Sequence, residues 1–284
     1  RVSLVGSEMC IRDSPCGYLC YSMQKMQAKI NQLGVIFCAV ILLSSLSISG
    51  ESLPLIKSPK VDNPKSVLFI GNSFFYYNNS LHNHLGDLYD ADPDLDTPRR
   101  RSITINGSSL SWHDVESYLS NEEIGSFKID SDTNTYEPYE KLDIDVVIMM
   151  DCSLCPINDE RKDSFYKYVK KHSETIRSKG IEPILFMSWP YKNKPEMQEM
   201  LEKEFFKASK LNNLRLIPAG QAFLYINKNF PNINLYTEDL RHPSKEGTYL
   251  AALMVFTSLS NKSPIGNTFT TVSYTHLTLP TKPF

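Results

Sequence analysis

The segment VLFIGNSFF at residues 67–75 is the part of the sequence that decides how this protein folds. Its first four residues are apolar and predict a buried strand, and Gly71, Asn72 and Ser73 then predict a sharp turn into a helix. In an open parallel sheet, ligands bind outside the carboxyl ends of the strands, which is where this turn places Ser73. The N–H of a serine at a helix start can stabilise an oxyanion while its hydroxyl attacks. The alternative, in which Ser73 only caps the helix, stays open on this segment alone.

Outward from this segment, short apolar runs alternate with longer amphipathic ones, which is typical of a parallel sheet covered by helices on both faces. Phe165, Val169, His172 and Ile176 recur at helical spacing, and a last helix is predicted at residues 244–260. The sequence therefore predicts one domain of the α/β class. The predicted strands are residues 67–70, 102–105, 146–150, 183–187 and 214–217.

A second segment, EDLRHPS at residues 238–244, precedes the last predicted helix. Asp239 and His242 are three residues apart, a spacing that lets a carboxylate in a tight turn accept a hydrogen bond from one imidazole nitrogen. The other nitrogen is then free to act as a base toward a hydroxyl. Pro243 disfavours the helical region for His242 and helps to hold it in a loop. A solvated Asp-x-x-His ahead of a helix is the alternative.

Composition and the remaining motifs exclude several classes of protein. A net charge of -2 provides no basic surface for nucleic acid. No G-x-G-x-x-G or Walker loop follows the first strand, and no G-x-S-x-G elbow indicates a standard α/β-hydrolase. The acidic run at residues 90–96 lacks the glycine and glutamate of an EF-hand, and with Pro93 and Pro98 nearby it predicts a solvated loop. His82 and His84 have no evident third ligand. We therefore expect no cofactor and no metal ion.

At these residues the sequence resembles the SGNH/GDSL hydrolase superfamily. The first block of that superfamily is Gly-Asp/Asn-Ser after the first strand, and its last is Asp-x-x-His-Pro; they stand here at residues 71–73 and 239–243. The resemblance implies a flavodoxin-like, three-layer α/β/α sandwich with a central parallel sheet. It also implies that Ser73 is the nucleophile, His242 the base and Asp239 the residue that orients the base.

The resemblance further implies an oxyanion hole formed by the N–H groups of Ser73 and Gly107. The segment that contains Gly107 matches the second block, although a simple turn glycine is the alternative. The third block normally supplies an asparagine or glutamine side chain, but residues 149–155 contain neither. Ser153 and Asn158 are the candidate substitutes for this third donor.

Candidate substrate-binding residues are Asn72, Ser153 and Trp189. Trp112, Trp189 and Tyr191 fall in predicted loops after the second and fourth strands, where their rings could stack on a sugar. Lone aromatic residues belong to the core more often, so that alternative stays open.

The two ends of the chain differ in character from its middle. Residues 23–49 have the layout of a secretory signal peptide, with lysines ahead of an apolar run at residues 33–46, and an uncleaved anchor is the alternative. Residues 1–22 and 272–284 are expected to be artefactual, because 1–14 and 272–284 resemble translated adapter sequence. The expected domain, residues 50–271, would be exported with a net charge of about -5. It retains Cys152 and Cys155, as a short disulfide or as two buried thiols with a structural role.

We therefore expect a secreted serine esterase that acts on carbohydrate O-acetyl or other short acyl esters through an acyl-enzyme. Two alternatives stay open: a carbohydrate-binding or accessory protein without strong catalysis on the same fold, and a sugar O-acyltransferase. Its expected partners are a small-molecule or carbohydrate ester and no nucleic acid.

Overall fold

A five-stranded parallel sheet forms the centre of the protein. The computed structural model describes residues 61–121, 127–130, 132–133, 135–138 and 143–269. The expected signal peptide and the two expected artefactual ends lie outside these residues. The sheet strands are β1 (Ser66–Gly71), β2 (Arg99–Thr104), β5 (Val146–Met149), β6 (Glu182–Phe186) and β7 (Arg215–Ile217), and they lie in the order β2-β1-β5-β6-β7. A separate hairpin is formed by β3 (Phe127–Asp130), which pairs antiparallel with β4 (Thr135–Pro138).

Helices cover both faces of this sheet, so the predicted three-layer α/β/α class is confirmed. The last helix, Lys245–Ser260, begins one residue after Ser244, whose Oγ accepts a hydrogen bond from the Gly247 N–H at 3.1 Å and caps the helix. The described residues contain no helix long and apolar enough to cross a membrane. The helices are α1 (Ser73–Tyr76), α2 (Leu81–Asp90), α3 (Val115–Ser120), α4 (Lys162–Ser178), α5 (Met197–Asn212), α6 (Ala219–Asn229) and α7 (Lys245–Ser260), and a 3-10 turn spans Leu110–Trp112.

The side chains of the central strands alternate between two hydrophobic cores. Phe69 packs into the core beneath α2, α6 and α7, whereas its neighbour Ile70 packs into the core beneath α3, α4 and α5. Because both faces of β1, β5 and β6 are covered, these strands are apolar along nearly their whole length. Each fully buried phenylalanine or leucine contributes about 1.5–3 kcal/mol of hydrophobic stabilisation.

The predicted strands are confirmed to within three residues at each end. Patterning missed the β3–β4 hairpin and the helices α2, α3 and α6 as separate elements. Residues 91–98 form the expected loop, but its charges are not simply solvated. Lys262 Nζ donates to Asp92 Oδ1 at 2.9 Å and to Asp94 Oδ2 at 3.1 Å.

The order of the strands determines where a site can form. After β1 the chain crosses to β2 on one side, and it later returns to place β5 on the other side of β1. The loops that follow these three strands therefore diverge at the carboxyl edge and leave a crevice there. Ser73, Gly107 and Asp151 all follow these strand ends.

Candidate active site

Ser73 is the first residue of α1, directly after the turn that ends β1. Asn72 is extended and provides the cap, because its Oδ1 accepts a hydrogen bond from the Phe74 N–H at 3.2 Å. The capping role that was left open for Ser73 therefore belongs to Asn72. Gly71 is required here because a Cβ would lie 2.9 Å from the ring of Phe75. The hydroxyl of Ser73 is left for other contacts.

The Asn72 side chain also joins the ends of three strands. Its Nδ2 donates to the Ser108 carbonyl at 3.0 Å and to the Asp151 carbonyl at 3.3 Å. With Oδ1 used for the cap, the buried amide contacts the loops after β1, β2 and β5 at once. Asn72 thus positions the turn that carries Ser73, and its amide is turned toward the protein, not toward a substrate.

The segment before α7 folds into a turn that brings the Asp239 carboxylate under His242. Leu240 has a φ of +63°, which lets the chain reverse within three residues. Asp239 Oδ1 accepts hydrogen bonds from Thr237 Oγ1 at 2.8 Å and from the His242 N–H at 2.9 Å. Arg241 adds its N–H to Oδ1 at 3.1 Å and its Nε to Oδ2 at 3.2 Å. The carboxylate is therefore held in one orientation by five donors, including the His242 ring.

Ser73, His242 and Asp239 form one hydrogen-bonded chain. His242 Nδ1 contacts Asp239 Oδ2, and His242 Nε2 lies 2.8 Å from Ser73 Oγ. Because the carboxylate accepts from Nδ1–H, neutral His242 has a free Nε2 that accepts from the Ser73 hydroxyl. Partial burial alone would raise the pKa of Asp239, but the hydrogen bonds from His242 and its neighbours outweigh it and hold that pKa well below its usual range.

Aromatic side chains enclose the His242 imidazole. Tyr77 stacks on it with 4.1 Å between ring centroids, and Phe74 meets it edge-on at 5.3 Å. Trp189 stacks behind Phe74 at 4.9 Å, and its Nε1 donates to the Arg241 carbonyl at 3.0 Å. These contacts leave the ring little freedom to rotate. Sequence reasoning missed Tyr77, although it lies one helical turn after Ser73.

Gly107 lies in the turn after β2, at a position whose backbone conformation favours glycine. The Ser108 N–H donates to the Ile105 carbonyl at 3.1 Å, and the φ of Gly107 is +67°. The Ser108 hydroxyl donates to the Gly71 carbonyl at 3.1 Å and lies 3.0 Å from His113 Nε2. Buried polar contacts therefore fix this loop against the end of β1.

The same loop is anchored further along by Leu110. Its N–H donates to Asp151 Oδ1 at 3.0 Å, and its carbonyl lies 2.8 Å from Nε2 of the buried His172. Asp151 Oδ1 also accepts from the Cys152 N–H at 2.7 Å. Burial raises the pKa of Asp151 to about 6. The Asp151 carboxylate therefore acts as a hydrogen-bond acceptor that holds the loops after β2 and β5 together. The resemblance implies a side chain that donates a hydrogen bond to the oxyanion from this part of the sequence.

Cys152 and Cys155 form a disulfide across the turn after Asp151. In the described part of the chain, Asp151 and these two cysteines are the group of side chains spaced closely enough to hold a metal ion. Because the two sulfurs are bonded to each other, they offer no thiolate to a metal.

The remaining candidate residues make contacts of their own, and none of these contacts is with Ser73 Oγ or the His242 ring. The Ser153 hydroxyl lies 2.9 Å from the Tyr191 hydroxyl, and Asn158 Oδ1 accepts from the Glu160 N–H. Trp189 is 0 % exposed and is stacked between Phe74 and Phe223. Both faces of its ring are therefore covered, and Trp189 is a buried core residue in this structure.

Trp112 has the opposite environment. It is 62 % exposed at the end of the 3-10 turn after β2. Sequence patterning treats it and Trp189 alike, since each is a lone tryptophan in a loop after a strand.

The fold is that of the SGNH/GDSL hydrolases. A candidate SGNH hydrolase from Slackia heliotrinireducens superposes with a TM-score of 0.52 at 20 % identity, covering 69 % of this chain and 99 % of that one. A DUF4886 family protein from Bacteroides uniformis superposes with a TM-score of 0.53 at 20 % identity, over 72 % and 86 % of the two chains. The protein TesA gives 0.50 at 13 % identity, over 69 % and 98 %.

At these identities the likeness is one of fold. No protein-family profile matches the chain, and no curated protein sequence matches it.

Proposed function

We propose that this protein is a serine-dependent carboxylic-ester hydrolase that acts on short-chain acyl esters of carbohydrates. The observation that carries the proposal is the hydrogen-bonded chain from Ser73 Oγ through His242 to Asp239. A hydroxyl, an imidazole and a carboxylate that orients the imidazole are the groups that acyl transfer requires.

In the first half of the proposed reaction, Ser73 Oγ attacks the ester carbonyl as its proton passes to His242 Nε2. Asp239 stabilises the imidazolium that forms, and its depressed pKa keeps it charged while it does so. The tetrahedral intermediate then expels the alcohol, which takes the proton from His242 Nε2. The acyl group stays on Ser73 as an ester.

Two backbone N–H groups are the proposed donors to the oxyanion. Ser73 begins α1, so its N–H has no acceptor within that helix. Gly107 follows β2 in a loop held by Ser108 and Leu110, which keeps its N–H in a defined position. One oxyanion donor typically contributes about 10²–10³-fold to kcat. That contribution depends on a donor that is already in position, which is why the loop that holds the Gly107 N–H matters.

In the second half, water attacks the acyl-enzyme with His242 Nε2 as the base. The carboxylic acid leaves and the proton returns to Ser73 Oγ, which restores the starting state. We also propose that the protein acts outside the cytoplasm. The apolar run at residues 33–46 and the Cys152–Cys155 disulfide support an exported, oxidising location.

Turnover of p-nitrophenyl acetate tests the proposal. Ser73→Ala should lower kcat/KM by about 10³-fold or more, because the other triad members act only through this hydroxyl. Ser178→Ala, which removes an exposed hydroxyl at the end of α4, is the matched control and should retain wild-type activity. A fluorophosphonate probe should label Ser73, identified by mass spectrometry of the peptide. Equal turnover by wild type and Ser73→Ala would refute the proposed function.

A further inference from the structure

A cavity of about 260 Å³ opens beside Gly107, between the loops that follow β2 and β5. On the β2 side it is lined by Ser109, Ser111 and Trp112, and on the other by Cys155 and Arg161. Its volume fits one sugar ring better than a long acyl chain, and most of its lining is polar. No step of the proposed ester hydrolysis uses these residues.

The β2 side of the cavity combines an aromatic face with hydroxyl groups. Trp112 is 62 % exposed, whereas most large aromatic rings in this protein are buried. The Ser109 and Ser111 hydroxyls lie 2.7 Å apart, and either can donate to the other. A flat ring beside paired hydroxyls suits a pyranose, whose C–H face packs on an aromatic ring while its edge forms hydrogen bonds.

Arg161 supplies hydrogen-bond donors from the opposite wall. Among the described residues its guanidinium makes no hydrogen bond or ion pair, although its charge acts on the nearby Asp151. Asp151 Oδ1 is already occupied by the Leu110 and Cys152 N–H groups. The donors of Arg161 are therefore open to the hydroxyls of a ligand.

We infer that this cavity is the subsite for the sugar of the ester substrate, with the ring stacked on Trp112 and its hydroxyls bound by Arg161 and the serines. The inference rests on the proposed function and adds the substrate's position. Gly107 lines the cavity and is also the proposed oxyanion donor, so a sugar bound there lies next to the reacting carbonyl.

Tryptophan fluorescence measures binding separately from catalysis. The chain has two tryptophans, and only Trp112 is accessible, because Trp189 is buried. In the full-length Ser73→Ala variant, methyl glycosides of glucose, galactose and xylose are titrated while acrylamide quenches the emission. At least one sugar should protect Trp112 from quenching with saturable, millimolar affinity. Trp112→Phe should abolish the protected signal and leave only the emission of Trp189.

A kinetic measurement then tests specificity. The quantity is the ratio of kcat/KM for a mono-O-acetylated methyl glucoside, whose other hydroxyls are free, to kcat/KM for p-nitrophenyl acetate, which carries no sugar. Trp112→Ala and Arg161→Gln should each lower this ratio by about tenfold, since each removes about one stacking or charge-assisted contact. Trp112→Phe should recover part of the loss. Leu211→Ala, a control at a 66 % exposed apolar residue on α5, should leave the ratio unchanged.

The outcomes separate this inference from the proposed function. If the protein does not turn over p-nitrophenyl acetate but a sugar protects Trp112 from quenching, the proposed esterase activity is refuted and the sugar site is retained. If the protein turns over p-nitrophenyl acetate, but no glycoside protects Trp112 and the variants do not change the ratio of kcat/KM values, the subsite is refuted and the esterase is retained. Protection that persists in Arg161→Gln at full affinity would overturn the assigned role of that residue.

Discussion

Replacing Asp239 with asparagine tests the logic of the His242 turn with a change of one atom. Oδ1 accepts the Arg241 and His242 N–H groups and the Thr237 hydroxyl, whereas Oδ2 accepts from the His242 ring and Arg241 Nε. The asparagine oxygen should therefore take the Oδ1 position, where two backbone donors cannot move. Its NH₂ group then faces His242 Nδ1.

This arrangement reverses the tautomer of His242. Nδ1 must accept a hydrogen bond from the amide, so the proton moves to Nε2 and Ser73 Oγ can no longer deliver its own proton there. The loss should be about 10³–10⁴ in kcat, or about 4–5.5 kcal/mol of transition-state stabilisation. The free energy of unfolding should change by about 1 kcal/mol or less, because the carboxylate is partly exposed and its ion pair with Arg241 is screened.

The assay is p-nitrophenyl acetate turnover between about pH 6 and 8, with urea denaturation to measure the free energy of unfolding. Wild-type Asp239 stays ionised across this range because its pKa is well below its usual value. Glu238→Gln is the matched control, since it removes an exposed carboxylate one residue away and should leave kcat unchanged. An Asp239→Asn variant that folds normally and retains activity within a few-fold of wild type would show that this turn does not orient a base.

Three further predictions concern the surroundings of the site. Tyr77→Ala should lower kcat several-fold by freeing the His242 ring, and Tyr77→Phe should restore it; equal kcat for Ala and Phe would contradict a stacking role. The double variant Cys152→Ser with Cys155→Ser should lose about 2 kcal/mol of unfolding free energy in urea, since so short a loop constrains the unfolded chain only modestly. Burial raises the pKa of Asp151 to about 6, so the folded state holds this proton more tightly than the unfolded chain, and the contribution of this group to stability falls as pH rises from about 4 to 6. Asp151→Asn should remove that fall and be more stable than wild type at pH 7 by up to about 3 kcal/mol; an unchanged pH profile in denaturation would refute it.

Local patterns in the sequence carry the fold class and the chemistry of the candidate site. The apolar strand before residues 71–73 and the Asp-x-x-His-Pro turn at residues 239–243 can be recognised because each is a short segment whose backbone preferences are intrinsic. Short apolar runs between amphipathic segments also located the five sheet strands, since strands covered on both faces are apolar along most of their length. The β3–β4 hairpin has short strands and was missed. Helix α2 was missed as well, although Leu81, Leu85 and Leu88 recur at helical spacing and could have indicated it.

Other features depended on which strands become neighbours. Ser73 and His242 are 169 residues apart, and they meet because β1 lies inside the sheet, between β2 and β5, and the turn before α7 folds against the carboxyl end of β1. Asn72 acquires its role in the same way, since its amide reaches the loops after two other strands. Hydrogen bonds between loops have no periodicity along the chain, so no pattern predicts them.

The sequence by itself therefore determined an α/β domain with serine, histidine and aspartate in two recognisable turns. Only the tertiary structure distinguished Trp112 from Trp189, because the exposure of a loop residue depends on what packs over it. It also decided that Asp151 would hold two loops as an acceptor, since a carboxylate after β5 has no preferred partner until Leu110 is brought beside it. Both outcomes depend on packing between distant segments, which the composition and the spacing of residues do not encode.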